Sequence, residues 1–472
     1  MNIKTLSKYA IGAGVIGAIL GGGTLGLLHL AAAMTTQAAP PAGTPEAKAQ
    51  AEASMQAKCA ACHGAATDTY NPLLNILSFG MMQRDVEAGQ RSFCIVPDAS
   101  MRASAVDLLK MDQVLIRRHM PPLAYRVMHP GTGLTEQDVA TLRSLYSTEA
   151  ADAARYGIIS PAPAPANAQE AAKIQLGKLL YNDARLSTTN AVACASCHDL
   201  TKGGTDNLAK SEGVPGADGK PQLGGVNAPT VYNTETNIRQ FWDGRAADLK
   251  EQAGGPPLNP VEMGYAHPED WNKIAAKLAQ SPELTVLFAA AFGDKGITAD
   301  TITEAIAAYE KTLRTPDSAF DRYQQGDKAA LSEAAIAGKA AFEQQGCATC
   351  HSGPTMGGQS FEYINTYANL RDLATPPNYT EGAYGLADFT KKEAHKDMFR
   401  VPLLRNVALT APYFHTGSVN KLEDAVRIMI QTQGKEAPTD EDVQNITAFL
   451  QAQTGKLNGK SLDALTPEDV KP

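Results

Sequence analysis

Three threonines each introduce a run of apolar residues at helical spacing. Thr135-Glu136-Gln137-Asp138-Val139 leads into Leu142, Leu145 and Tyr146; Thr298-Ala299-Asp300 leads into Ile302, Ala305, Ile306 and Tyr309. Thr439-Asp440-Glu441-Asp442-Val443 leads into Ile446, Phe449 and Leu450. A threonine N-cap, acids in the first turn and apolar residues three and four apart predict three amphipathic helices. Their recurrence predicts a weak internal repeat of three units, each closed by one such helix. Alternating, strand-like patterns are scarce. Gly and Pro punctuate long loops at 203–229, 254–268 and 352–388. The predicted fold class is therefore mostly α.

The longest apolar stretch lies at the N-terminus. Lys4 and Lys8 precede an uncharged run from Tyr9 to Ala33, long enough for a transmembrane helix with its start in the cytoplasm. A cleaved signal ending near Ala31-Ala32-Ala33 or Ala38-Ala39 is the alternative. Both readings export the remainder of the chain. An Ala/Pro/Thr-rich tether covers 35–50, and Pro161, Pro163 and Pro165 alternate within a second linker at 157–168. The predicted organisation is an anchor at 1–34 followed by domains at 51–156, 169–330 and 331–472.

Composition adds two constraints. The hydrophobic content of 43% supports real cores, and the formal charge of −8 leaves no basic footprint for nucleic acid. The seven cysteines are more informative, because six fall in one motif. Cys59-Ala60-Ala61-Cys62-His63, Cys194-Ala195-Ser196-Cys197-His198 and Cys347-Ala348-Thr349-Cys350-His351 all read Cys-x-x-Cys-His. On a helical turn this spacing places two thiols and one imidazole together, which suits two thioethers and an iron ligand of a c-type haem. A redox pair or a zinc site is the bland alternative, which three copies make remote. The chain is thus expected to carry three covalently bound haem c groups, in three cytochrome c-like domains in tandem behind the anchor, with His63, His198 and His351 as proximal ligands. Cys94 remains, either as a buried inert thiol or as a reactive one. For the first haem, Met120 in Arg118-His119-Met120-Pro121-Pro122 is the favoured second ligand, held rigidly before two prolines; Met128 and His129 are alternatives.

From Gly177 to Leu450 the chain resembles the bacterial dihaem cytochrome c peroxidase family. The matching segments include Leu176-Gly177-Lys178-Leu179-Leu180-Tyr181, Cys194 through Gly204, Asn227-Ala228-Pro229-Thr230 and Phe241-Trp242-Asp243-Gly244-Arg245-Ala246. Glu251-Gln252-Ala253, Val261-Glu262-Met263, Arg400-Val401-Pro402-Leu403-Leu404-Arg405-Asn406-Val407 and Thr410-Ala411-Pro412-Tyr413-Phe414-His415 extend it. An additional N-terminal haem domain behind an anchor is similar to the trihaem, membrane-bound quinol peroxidase branch.

The resemblance implies roles. The haem on Cys194 and Cys197 would be peroxidatic, and that on Cys347 and Cys350 would transfer electrons with Met429 as its second ligand. Trp242 would couple the two. Gln252 and Glu262 would line the peroxide pocket, Glu262 shuttling the proton needed for O–O cleavage and Gln252 positioning the oxygens. Asn227 and the carbonyls of Thr410 and Pro412 would bind calcium. Many members place a histidine ligand in the loop after the peroxidatic motif, but here Asp199 to Val226 holds none. The peroxidatic haem is therefore expected to be open at rest, with His267 in Tyr265-Ala266-His267-Pro268 as the nearest candidate substitute ligand. The implied activity is reduction of hydrogen peroxide to water on the periplasmic side of the inner membrane. Electrons would come from quinol or a small donor protein and pass through the N-terminal and C-terminal haems. Members commonly form homodimers, a candidate assembly here too. Two other functions compete: a trihaem electron carrier without peroxidase activity, and a protein-oxidising maturation enzyme of the same superfamily. The second replaces the methionine at Met429 with tyrosine, and the His-free loop argues against the first.

Overall fold

The structure is a computed structural model and describes residues 134–143, 156–366, 368–374 and 384–471. The expected anchor and first haem motif, including Cys59, Cys62, His63, Cys94 and Met120, lie outside the described residues.

All three threonine-capped helices form. Thr135 Oγ1 accepts from Asp138 N at 3.1 Å to start the Glu136–Arg143 helix. Thr298 Oγ1 accepts from Thr301 N at 3.2 Å ahead of Ala299–Glu310, and Thr439 Oγ1 from Asp442 N at 3.0 Å ahead of Asp440–Gln451. The second and third organise two similar halves. In the first, the Ala168–Tyr181 helix crosses Ala299–Glu310 at Gly177, where a Cβ would stand 1.9 Å from the Ala305 carbonyl oxygen. In the second, the Glu333–Gln344 helix crosses Asp440–Gln451 at Gly338, where a Cβ would stand 1.8 Å from the Asn445 carbonyl oxygen. Only glycine permits backbones to approach this closely. Each crossing sits in its own core, one containing Leu176, Ile302 and Ile306, the other Phe342, Ile446 and Phe449.

The likeness of the halves runs beyond the helices. The stretches from Asn227 to Leu249 and from Arg400 to Leu422 correspond at one constant spacing. Asn233 and Asn406 both adopt the left-handed region, with φ of 61° and 66°, and each opens a 3-10 turn, Thr234–Thr236 and Val407–Leu409. Phe241 and Phe414 share a φ of 67°, and isolated bridges Gln240–Ala246 and Tyr413–Val419 close equivalent loops. The two stretches also grip one another reciprocally. Asn227 N donates to His415 O at 2.9 Å, and its counterpart Arg400 N donates to Trp242 O at 3.0 Å.

The fold is mostly helical, as expected. Among the described residues the strands form three two-stranded antiparallel ribbons, apart from isolated bridges: Glu212–Pro215 with Pro221–Leu223, Phe361–Tyr363 with Met398–Arg400, and Lys456–Leu457 with Lys460–Ser461. The first turns what reads in sequence as open loop into a hairpin. The proline-rich segment reaches the Ala168 helix without regular secondary structure. Just before it, the Tyr156 ring meets the edges of Phe320 and Phe449 at centroid distances of 5.2 and 6.3 Å, which pins this end of the segment to the second half. No helix among the described residues is long and apolar enough to cross a membrane.

Candidate active site

Each described Cys-x-x-Cys-His motif closes a single turn. Cys194–Cys197 is a short helix with His198 N donating to Cys194 O at 3.0 Å; Cys347–Thr349 is a 3-10 turn with His351 N donating to Cys347 O at 2.9 Å. The tight turn gathers both thiols and the imidazole. His198 Nδ1 lies 3.4 Å from the Gly204 carbonyl oxygen, and the ring also meets the Pro229 backbone. His351 repeats the arrangement, with Nδ1 3.2 Å from Met356 O and a second contact to the Pro402 backbone. Tying Nδ1 to a carbonyl fixes the ring and leaves Nε2 for iron. Burial pushes both imidazoles down, His351 to about 4, so they stay neutral as a metal ligand must.

The four cysteines among the described residues are free of disulfides. Burial is the main cause that pushes the Cys194, Cys197 and Cys347 thiols up, Cys197 to about 11 and Cys347 to about 12, so they stay protonated. Among the described residues no cluster of three His, Cys, Asp or Glu assembles that could hold a bare metal ion. Two thiols and a neutral, oriented imidazole on one turn fit a covalently attached haem rather than a four-ligand zinc site.

Glu262 comes close to the first motif. Its charge contributes to raising the Cys197 thiol. Its position is set by the 212–223 hairpin, because Val214 N donates to Glu262 O at 3.0 Å and a Cβ on Gly213 would stand 1.9 Å from Val261 O. The loop that lacks a histidine is thus fastened to the backbone of the candidate acid. His267, the nearest substitute, is exposed at the start of the Pro268–Asp270 turn. Gln252 is half-buried on the Leu249–Ala253 helix.

Trp242 stands where the two halves meet. Its Nε1 donates to Asn227 O at 2.9 Å, and its ring meets His415 edge-on at 6.2 Å. His415 in turn stacks on Phe399 at 4.4 Å, and burial lowers its imidazole to about 4. Met429 is half-buried on the Leu422–Gln433 helix. That helix packs into the core that contains Ala348 of the second motif and Phe342, whose ring lies 6.4 Å from His351. The candidate calcium ligands are tied into the same region by hydrogen bonds. Asn227 Nδ2 donates to Leu208 O at 2.8 Å, which turns its Oδ1 away from that bond, while Asn207 Nδ2 fastens the segment around Thr410 through Leu409 O and Ala411 O at 3.1 and 2.9 Å. Among the described residues no hydrogen bond to Asn227 Oδ1, Thr410 O or Pro412 O forms, so three oxygens remain for a cation.

Sequence reasoning missed Glu310, 5% exposed at the end of the Ala299–Glu310 helix. Its Oε2 has no hydrogen-bond partner, and burial pushes its carboxyl up to about 8. Its charge is felt by Cys194 and Tyr181, so it lies behind the first haem motif. A proton held more tightly in the folded state stabilises fully below the ordinary carboxylate value and less as pH rises through about 8. Glu310→Gln is therefore expected to flatten the loss of stability between about pH 4.5 and pH 8 and to gain up to a few kcal/mol at the upper end. Urea midpoints of the haem-loaded protein at pH 5 and pH 8.5 test this, and parallel pH slopes for both proteins would refute it.

Comparison with known proteins agrees with this geometry. Residues 171–329 match the family described as di-haem cytochrome c peroxidase, and residues 24–148 match a haem-binding domain. The chain is 40% identical over 392 residues to the cytochrome c peroxidase of Escherichia coli (strain K12), covering 79% of this chain and 81% of that protein. It is 42% identical to cytochrome c551 peroxidase of Nitrosomonas europaea, covering 65% of this chain and 86% of that one. Among solved structures, a MauG-like protein associated with microbial copper homeostasis superposes with a TM-score of 0.53 at 27% identity, over 63% of this chain and 94% of that one. The chain belongs to the di-haem cytochrome c peroxidase family. It is a haem c enzyme of the peroxidase type.

Proposed function

We propose that the chain reduces hydrogen peroxide to water at the haem carried by Cys194, Cys197 and His198. Electrons would arrive through the haem on Cys347, Cys350 and His351, with Met429 as its second ligand, and before that through an N-terminal haem on Cys59, Cys62 and His63 with Met120. The haem-binding match over 24–148 supports the third haem. The apolar run from Tyr9 to Ala33 supports a membrane anchor with the haem domains on the periplasmic side, and an anchored enzyme favours quinol over a soluble protein as donor.

The observation that carries the reading is the placement of Glu262, whose backbone carbonyl accepts from Val214 N of the His-free hairpin at 3.0 Å and whose charge adds, after burial and Asp206, to raising the Cys197 thiol. When bound, the haem supplies an iron at which the O–O bond breaks. Glu262 takes a proton from the near peroxide oxygen and returns it to the far one, which leaves as water. Gln252 orients the oxygens by hydrogen bonding. Trp242 bridges the halves and, through Asn227 O, is tied to the candidate calcium ligands Asn227, Thr410 and Pro412. Calcium there would stiffen the junction, and a homodimer is the proposed assembly.

With no histidine in the 199–226 loop and its 212–223 part held as a hairpin, the peroxidatic haem needs no reductive priming. Low-temperature EPR of the fully oxidised protein is expected to show a high-spin ferric haem that reacts at once with stoichiometric peroxide. Low-spin haems throughout, silent until one electron is added, would mean a hidden sixth ligand. Silence even after reduction would leave the pure electron carrier.

A further inference from the structure

Arg400 is 3% exposed at the end of the Met398–Arg400 strand, and its guanidinium meets only neutral oxygens. Nε donates to Phe241 O at 3.1 Å, and Nη1 to Asn237 Oδ1 at 3.0 Å and Val401 O at 3.5 Å. Among the described residues no carboxylate pairs with it, and Nη2 donates to no protein acceptor. Arg405, five residues on, shows the usual solution: it is equally buried but grips Asp321 with both arms. A buried cation is normally compensated by an anion, and a guanidinium is built to hold a carboxylate with two parallel bonds. Burial lowers the Arg400 guanidinium only to about 10, so it is charged at neutral pH.

The place of Arg400 indicates where the missing anion comes from. Arg400 corresponds to Asn227 in the other half. Two residues further on, Pro402 and Pro229 present their backbones to the proximal histidines His351 and His198. The reciprocal bonds Arg400 N to Trp242 O and Asn227 N to His415 O put both positions at the seam between the haem-bearing halves. One half therefore carries a fixed cation where the other carries a neutral amide. The carboxylates a haem brings to such a seam are its propionates.

We propose that Arg400 holds a haem propionate at the junction of the two halves and fixes the local charge there. The proposal rests on the binding of haem at Cys194/Cys197 and Cys347/Cys350, not on the peroxidase reading. Its test is a spectroscopic redox titration of the full-length, haem-loaded protein as wild type, Arg400→Gln and Arg400→Lys, with the haem-to-protein ratio recorded for each. Removing the cation leaves a propionate charge that favours the ferric state. Arg400→Gln is expected to lower the midpoint potential of one of the two haems, and Arg400→Lys to keep most of the native value; the haem that shifts owns the carboxylate. Native potentials in a fully loaded Arg400→Gln protein would overturn the proposal, as would equal shifts in both variants, which would mark packing rather than charge. Should Arg400→Gln fail to load haem, Arg400→Lys decides, with native loading and potentials supporting the proposal and a second failure overturning it. Turnover of the wild type is separable: native potentials in Arg400→Gln beside an active wild type would sink the Arg400 proposal alone, and shifted potentials in Arg400→Gln beside a wild type with no peroxide turnover would sink the peroxidase reading alone.

Discussion

Glu262→Gln is expected to lower peroxide turnover by about 100- to 10,000-fold while leaving haem content and spectra as in the wild type. The amide is nearly the same size as the carboxyl, so the packing around the 212–223 hairpin survives. Val214 bonds the backbone of residue 262, not its side chain, which keeps the loop in place. What the substitution removes is the ability to take up and return a proton. Peroxide gives up its far oxygen as hydroxide only at great cost, and as water only if a proton reaches it, so the loss should fall on kcat with the donor saturating. Steady-state rates with an artificial one-electron donor measure it. Turnover within a few fold of the wild type would mean that a different group, or water alone, moves the proton. A large loss in Gln that Asp partly restores would point to the carboxyl itself.

The amino-acid sequence makes much of this site legible, but unevenly. The haem motifs can be read directly because their chemistry is local: five consecutive residues on one turn carry two thiols and an iron ligand. The closing helices are legible for a similar reason, since a threonine cap and helical apolar spacing belong to a short stretch. Glu262, Trp242 and Met429 are reachable only through resemblance, because nothing in their own neighbourhoods separates a proton shuttle from a solvated loop acid. The hairpin at 212–223 escapes because it lacks alternation and pairs irregularly, Glu212 with Leu223 and Pro215 with Pro221, and because Val214 reaches Glu262, a contact between segments distant in sequence. Glu310 escapes for the opposite reason. A glutamate near a helix end reads as solvated, and only tertiary packing removes it from water. Arg400 falls within a matching block, yet its lack of a carboxylate partner is visible only once the chain is folded. The correspondence of Asn233 with Asn406, Phe241 with Phe414 and Gly244 with Gly417 carries the duplication in the sequence itself, through their constant spacing.

That duplication identifies where the molecule is most vulnerable. Thr315 Oγ1 accepts from Asn233 Nδ2 at 2.7 Å and from Asn406 Nδ2 at 2.9 Å, so one hydroxyl receives the matching asparagine of each half. Arg405 locks the same joint. Its Nε donates to Thr315 O at 3.1 Å, and its two arms hold Asp321, with both side chains only 1% exposed. Asp321 also accepts from Ser318 N at 2.9 Å and so caps the Ala319–Gln324 helix. Asp321→Asn leaves the guanidinium buried without a counter-charge, and breaking a pair of this kind costs about 3–5 kcal/mol. The expected result is a large fall in the denaturation midpoint of the haem-loaded protein. Replacing the pair together, as Asp321→Leu with Arg405→Met, removes the stranded charge and should recover most of that loss. If Asp321→Asn alone cost under about 1 kcal/mol, Arg405 would have to be compensated from elsewhere. The same variant reaches the chemistry indirectly. Asn233 and Asn406 begin the turns that follow the segments carrying Pro229 and Pro402, and those two backbones orient His198 and His351. Loosening the joint should therefore broaden the spectra of both haems together, whereas a fault confined to one half would disturb only one.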